Sequence, residues 1–296
     1  MTFSYTRRGR PAILTTAMLA AVSGLGQPTP QEDKAAVFRA DTRLVVLHAT
    51  VVDRSGRFVT NLPREVFTIL ENGVRQEIKT FRNEDVPVSM GLIVDNSGSM
   101  RDKRAKVEAA ALALVKDSNR DDEVFIVNFN DEAFMDNPRG KDFTNDIKEM
   151  EQALTRIDAR GGTAMRDALR MSLDHVKSKG RKDKKVLVTV TDGNDNSSVI
   201  ALENLVKSAQ QSEVLIYAVG LLSEEERREA NRARKALETL AEATGGAAYF
   251  PKELAEVDRI AHQVARDIRN QYTLVYAPSN AAMDGTFLQI KVSAKG

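Results

Sequence analysis

The sequence predicts an α/β fold: a doubly wound, mostly parallel sheet with helices on both faces, and beside it a small β-rich module built from both flanks of the chain. Three observations carry that prediction. First, the apolar runs "VSMGLIVD", "EVFIVNF", "KVLVTVTD" and "EVLIYAVG" alternate with helix-forming stretches. Nearly continuous apolar strands have no face to give to water, so they belong in a parallel sheet covered on both sides. Second, residues 43 to 82 are rich in Val and broken by Ser-Gly and Asn-Gly turns, the pattern of short antiparallel strands. Third, two more strand-like runs, "YTLVYAP" and "TFLQIKVSA", follow the last helix.

Each element follows from local chemistry. Arg7, Arg8 and Arg10 precede an apolar, small-residue run from Ala12 to Leu25, too short to span a bilayer. This is the form of a signal peptide over residues 1–26, with small residues placed for cleavage after Ser23 or Gly26. It predicts export to the periplasm, the cell envelope or the medium, with no membrane span in the mature chain. Pro28 and Pro30 open a linker over 27–42. The first part of the β-rich module covers 43–85, where "RLVVLHATVVDRSGRFVTNL" reads as strand, turn and short strand. "REVFTILENGVRQEIKTF" reads as a hairpin whose Asn72-Gly73 pair supplies the positive φ angles of a type I′ turn. So few residues rarely close a core alone. The second part, 271–296, is therefore expected to return and complete an immunoglobulin-like sandwich. Between them, 86–270 forms the α/β domain, with helices at Lys103–Lys116, Asn145–Ile157, Ala164–Ser178, Ala201–Ser212, Glu224–Ala243 and Leu254–Arg269.

Composition excludes several functions. With 42% hydrophobic and 29% charged residues, the chain is of the globular class, and its net charge of +1 exerts no global pull on nucleic acid or anionic membrane. It contains no cysteine, which removes disulfides, thiolate metal sites and a cysteine nucleophile together. The lack of tryptophan and the low aromatic content argue against a base-stacking surface.

Parallel sheets place their sites at the carboxyl ends of strands, and three segments stand out there. "DNSGS" puts Asp95, Ser97 and Ser99 at alternate positions after an apolar run. "GGT" puts Thr163 at the start of a helix, and "TDG" puts Asp192 at the end of another strand. Singly, these are ordinary turn and cap sequences. Together they offer two carboxylates and three hydroxyls, an all-oxygen set suited to a hard divalent cation.

In this order and context the three motifs resemble the metal-ion-dependent adhesion site of von Willebrand factor type A domains. "FTILENGVRQEIKTF" before the domain and "QYTLVYAPSNAAMDGTFLQIKV" after it are similar to an exported bacterial branch, the VWFA-related family of the acidobacterial type. The resemblance implies a Rossmann-like fold. It implies that Asp95, Ser97, Ser99, Thr163 and Asp192 hold Mg²⁺ (or Ca²⁺ or Mn²⁺), with Asp192 acting through water. The partner it implies is a protein presenting Asp or Glu to the ion.

Catalysis is the competing class. A strand-end Asp beside Mg²⁺ suits a phosphoryl-transfer hydrolase, but such enzymes place a second carboxylate two residues on, and here that residue is Ser97. His48, His175 and His262 show no metal-ligand spacing, and no nucleophile–base pair stands out. The basic run from Lys177 to Lys185 precedes a strand, so it reads as a solvated turn at the opposite sheet edge. The sequence thus predicts a non-enzymatic, metal-dependent adhesion module. A structural component of an envelope assembly, with a merely stabilising metal, is the alternative.

Overall fold

The eight residues from Val88 to Asp95 are all buried, so this segment must be sandwiched between layers. It is strand β6 of a computed structural model that describes residues 3–8, 44–51, 53, 59–83, 85–116, 119–156, 158–223, 227–278 and 287–295. In chain order the strands are β1 (Phe3–Arg8), β2 (Val45–Ala49), β3 (Phe67–Glu71), β4 (Val74–Gln76), β5 (Ile78–Arg82), β6 (Val88–Asp95), β7 (Glu123–Phe129), β8 (Ala133–Met135), β9 (Lys184–Thr191), β10 (Val214–Gly220), β11 (Ala248–Tyr249), β12 (Tyr272–Tyr276) and β13 (Phe287–Ala294). The helices are α1 (Arg104–Lys116), α2 (Ile147–Leu154), α3 (Met165–Lys179), α4 (Leu202–Gln210), α5 (Arg227–Thr244) and α6 (Val257–Arg269).

Six strands form the central sheet in the order β11-β10-β9-β6-β7-β8, parallel except for β8, which runs antiparallel at one edge. The two-residue period of a strand divides its side chains between two cores. Val88, Met90, Leu92 and Val94 of β6 pack on one face with α1, α2 and α6. Ile93 points the other way, into a core closed by α3, α4 and α5. Burying each such aliphatic side chain contributes about 2 kcal/mol before conformational entropy is counted. This is the doubly wound, mostly parallel domain expected from the four apolar runs. The antiparallel strand β8, only three residues long, is additional to that expectation.

The flanks form two antiparallel sheets, β1-β13-β3-β4 and β2-β12-β5. Asn72 and Gly73 adopt φ values of 49° and 83° and turn β3 into β4, the conformation a type I′ hairpin requires. The two strands after the last helix do not stand apart. β12 lies between β2 and β5, and β13 pairs with β3 and β1. Their side chains fill the core of the module, where Tyr272 packs 4.8 Å from the ring of Phe67 and 5.7 Å from that of Phe81. The Tyr272 hydroxyl donates to the Val59 carbonyl at 2.7 Å and accepts the Leu62 N–H at 2.9 Å.

Where the chain enters and leaves the α/β domain, Arg269 at the end of α6 pairs with Asp85 ahead of β6 at 2.8 Å and also with Asp122. Within the stretch expected as a leader, β1 pairs with β13 from Phe3–Val292 to Arg8–Phe287. The remainder of that stretch and the linker over 27–42 lie outside the described residues. Among the described residues no helix is long and apolar enough to cross a membrane.

Candidate metal centre

The chain leaves β6 towards β7 and β8 on one side, then returns to lay β9, β10 and β11 on the other. The loops after β6 and β9 therefore diverge, and a crevice opens between adjacent strand ends, the usual ligand position in an open parallel sheet. β6 ends at Asp95 and β9 at Thr191, with Asp192 next. A single 3₁₀ turn, Gly98–Met100, carries Ser99 over the crevice.

Asp95 is fully buried. Its Oδ1 accepts the Ser97 N–H at 2.7 Å and its Oδ2 accepts the Thr191 hydroxyl at 2.5 Å. Among the described residues it has no basic side chain in contact. Burial pushes its carboxyl up to about 6, against the pull of the Thr191 and Ser97 hydrogen bonds and with a further push from the charge of Asp192. Asp192 is also buried, and its Oδ1 accepts the Ser99 hydroxyl at 2.8 Å. Ser99 Oγ lies 3.2 Å from Ser97 Oγ, so Ser97, Ser99 and Asp192 form one continuous row of oxygens. Thr163 is buried on the facing loop, its N–H donating to Asn196 Oδ1 at 2.9 Å. Its hydroxyl lies 3.9 Å from where a side chain on Gly193 would begin. The five side chains singled out in the sequence thus converge on one strand edge.

Several residues of this edge were not singled out. Lys103 donates from its ammonium to Asp192 Oδ2. Asp131, beyond β7, accepts the Gly162 N–H at 2.7 Å, and Gly161 has φ +72° with Asp131 Oδ2 only 2.0 Å from where a Cβ would stand. The left-handed φ favours glycine, and any side chain there would have to push Asp131 aside. Gly98 N–H donates to the Gly161 carbonyl at 3.1 Å and Arg160 N–H to that of Asn96 at 2.9 Å, which zips the "GGT" loop to the "DNSGS" loop. The segment after Asp192 folds back on α3. Asp195 accepts the Arg166 N–H at 2.7 Å and Ser198 the Asp167 N–H at 3.0 Å, so α3 is capped by side chains about thirty residues downstream and not by Thr163. A cap supplied from so far away leaves no local signal.

The opposite, amino edge of the sheet is different. A cavity of about 1220 Å³ opens there between the two modules, lined in part by Val46, His48, Lys184, Tyr217, Tyr249 and Asp267, and none of the strand-end oxygens reaches it. Lys184 belongs to the basic run that reads as a solvated turn, yet it is buried and donates to the Ile268 carbonyl. Arg181 and Lys182 lie in the turn as that reading has it, whereas Lys177 and Lys179 are exposed on the last turn of α3 and Lys185 is half-buried in β9.

The family model of the von Willebrand factor type A domain matches residues 90–263. No curated protein matches the chain in sequence. Among solved structures, a von Willebrand factor type A protein from Catenulispora acidiphila superposes with a TM-score of 0.54 at 16% identity, over 77% of this chain and 65% of that one. The pilus adhesin SpaC from Lactobacillus rhamnosus GG, in its open conformation, gives 0.52 at 11% identity over 82% and 45%. Proximal thread matrix protein 1 from the mussel byssus gives 0.51 at 15% over 67% and 49%. The chain therefore spans about half to two thirds of the length of these structures, and at such identities the likeness is one of fold. With more than half of its residues inside the family match, the chain belongs to the von Willebrand factor type A domain family.

Proposed function

We infer that the protein is an exported, non-catalytic adhesion module that grips an acidic side chain of a partner protein through a divalent cation. The observation that carries this reading is the row of oxygens at the strand edge. Around Mg²⁺, with bonds of roughly 2.0–2.1 Å, neighbouring octahedral oxygens lie about 3 Å apart. The separation of 3.2 Å between Ser97 Oγ and Ser99 Oγ fits that spacing, and Asp192 Oδ1, 2.8 Å from Ser99 Oγ, stands beside the pair. The donor set fits as well. Among the described residues no three His, Asp or Glu side chains cluster, so a cation here would depend on hydroxyls. Ser97, Ser99 and Thr163 would hold the ion, and Asp95 and Asp192 would balance its charge. Ca²⁺ or Mn²⁺ would suit the same oxygen donors.

When bound, such an ion supplies a positive charge that three neutral hydroxyls leave strong enough to attract one more carboxylate, that of the partner. The chain's own residues supply orientation. Thr191 and the Ser97 N–H hold Asp95 in place, and the Gly98–Gly161 contact keeps the two hydroxyl-bearing loops together. Ser97 stands where a phosphoryl-transfer enzyme would need an acid, which favours binding over catalysis. Export rests on the basic, then apolar, character of residues 7–25. The adhesin among the structural neighbours is in keeping with an adhesive role.

The test is Mg²⁺ titration calorimetry on the full chain and on Asp95→Ala and Thr163→Ala, with circular dichroism as the folding control. Both variants should stay folded and bind Mg²⁺ more weakly; undiminished affinity in both would sink the site. Capture of partners from the host envelope with and without chelator then separates adhesion from a merely stabilising ion.

A further inference from the structure

We propose that Lys103 is a built-in counter-cation, which occupies Asp192 until a divalent ion displaces it and so sets the concentration at which that ion binds. The inference rests on the metal-centred reading above and concerns how the same site is regulated.

Both carboxylate oxygens of Asp192 are engaged. Oδ1 takes the Ser99 hydroxyl at 2.8 Å and Oδ2 takes the Lys103 ammonium. The Asp192 side chain is 1% exposed and that of Lys103 is 31% exposed, so the acid is enclosed while its partner reaches in from the rim. Among the described residues, Lys103 is the one basic side chain paired with either acid of the site. Two buried carboxylates and one ammonium leave a net charge of −1, whereas two carboxylates and a divalent ion leave none. An ion seated against Ser97, Ser99 and Asp192 would lie beside the ammonium, and two cations sharing a carboxylate repel. The ammonium must then withdraw.

The backbone of Lys103 permits this. Its N–H donates to the Met100 carbonyl at 2.9 Å, and its own carbonyl accepts the Lys106 and Val107 N–H groups at 3.1 Å each. The main chain is thus secured into the start of α1, and only the flexible four-carbon stem has to swing out to water. Displacement costs one charge-assisted hydrogen bond. A contact of that kind shifts an equilibrium by about tenfold or more.

This predicts opposite changes in two properties. Replacing Lys103 with a neutral residue removes the competitor, which strengthens ion binding, and strips Asp192 of its partner, which weakens the metal-free protein. A lysine with a merely structural role would lower stability and leave affinity unchanged or reduced. The experiment compares the full-length protein with Lys103→Met, Lys103→Gln and Lys103→Arg, by MgCl₂ titration calorimetry and by thermal melting in chelator. Both neutral variants should bind Mg²⁺ about tenfold more tightly, and melt at lower temperature in chelator, while Lys103→Arg stays close to wild type. Two neutral variants allow for one that does not fold. Unchanged or weaker affinity in the folded neutral variants, with wild type binding normally, would overturn the displacement role and leave the metal site standing. Failure of every form to bind Mg²⁺ or Mn²⁺ would overturn both.

Discussion

The two edges of the central sheet treat buried charge in opposite ways. At the amino edge the acids beside β6 and β7 each have a guanidinium from elsewhere in the fold. Asp122 receives Arg269 as well as the Val88 N–H at 2.8 Å, and Glu123 receives Arg181 at 2.8 Å and the Ser89 hydroxyl at 2.7 Å. At the carboxyl edge, among the described residues, Asp95 has neutral donors alone, and Asp192 has one ammonium, reaching in from the rim. A buried carboxylate paired with a guanidinium from another element fastens those elements together. One left without a cation is a candidate to attract one. Burial raises the titration points of both Asp95 and Asp122, and of the two only Asp122 has a guanidinium pulling the other way. Exposure alone would not separate the edges, since both are made of buried acids.

The largest effect expected from this contrast is on stability. Arg269→Met should cost about 3 kcal/mol of unfolding free energy, because it leaves Asp122 buried without its cation. Denaturant titration measures it, and Mg²⁺ affinity should not change. Asp95→Asn should do the reverse. Its stability should stay within about 1 kcal/mol of wild type, while divalent-ion affinity falls by about a hundredfold or more. If the two variants behaved alike, the distinction between a fastening edge and a binding edge would fail.

A smaller effect is expected with pH. His48 on β2 is pushed down to about 3, first by burial and next by the charge of Lys184. A base whose pKa is depressed by folding favours the native state above its unfolded value and loses that contribution as pH falls. Between pH 6.5 and about 3, wild type should therefore lose stability relative to His48→Gln. Parallel denaturation curves across that window give the answer, and a constant difference would show that His48 does not report on the amino edge. The smallest effect belongs to Arg170→Ala. Its i,i+4 pair with Asp174 is exposed on both sides, and its loss should cost only about 0.3 kcal/mol. A cost comparable to that of Arg269→Met would mean that burial is not what distinguishes these ion pairs.

Much of this architecture was legible in the residues. Strands β6, β7, β9 and β10 announce themselves because a strand covered on both faces admits no polar face. Asn72-Gly73 announces its turn because few residues tolerate those φ values. The residues that complete the candidate centre were less legible. Lys103 sits between a turn and a helix, where lysine is ordinarily solvated, and nothing local says that Asp192 is beside it. Asp195, Asn196 and Ser198 look like loop composition, yet they anchor a helix that precedes them in the chain by about thirty residues. Lys184 sits in a run of bases and is nevertheless buried, because the strand it begins is covered at that end. Side-chain pairs made across long sequence separations leave no periodicity to read.

The interleaving of the flanking strands has a consequence for synthesis. β12 is the middle strand of its sheet, between β2 and β5, although almost the whole α/β domain lies between those strands in the sequence. A chain emerging from its amino end delivers β2 to β5 first, and they must wait for the last two strands to be made. Closing so long a loop is slow, and the waiting strand edges are open to wrong partners. The α/β domain has all its strands in one continuous segment, so its sheet takes no strand from either flank. In the folded domain Arg269 pairs with Asp85, which holds the two ends together, so a domain folded first would shorten the loop the late strands must close. The domain proposed to bind the partner would then also act as the template on which its neighbour is finished.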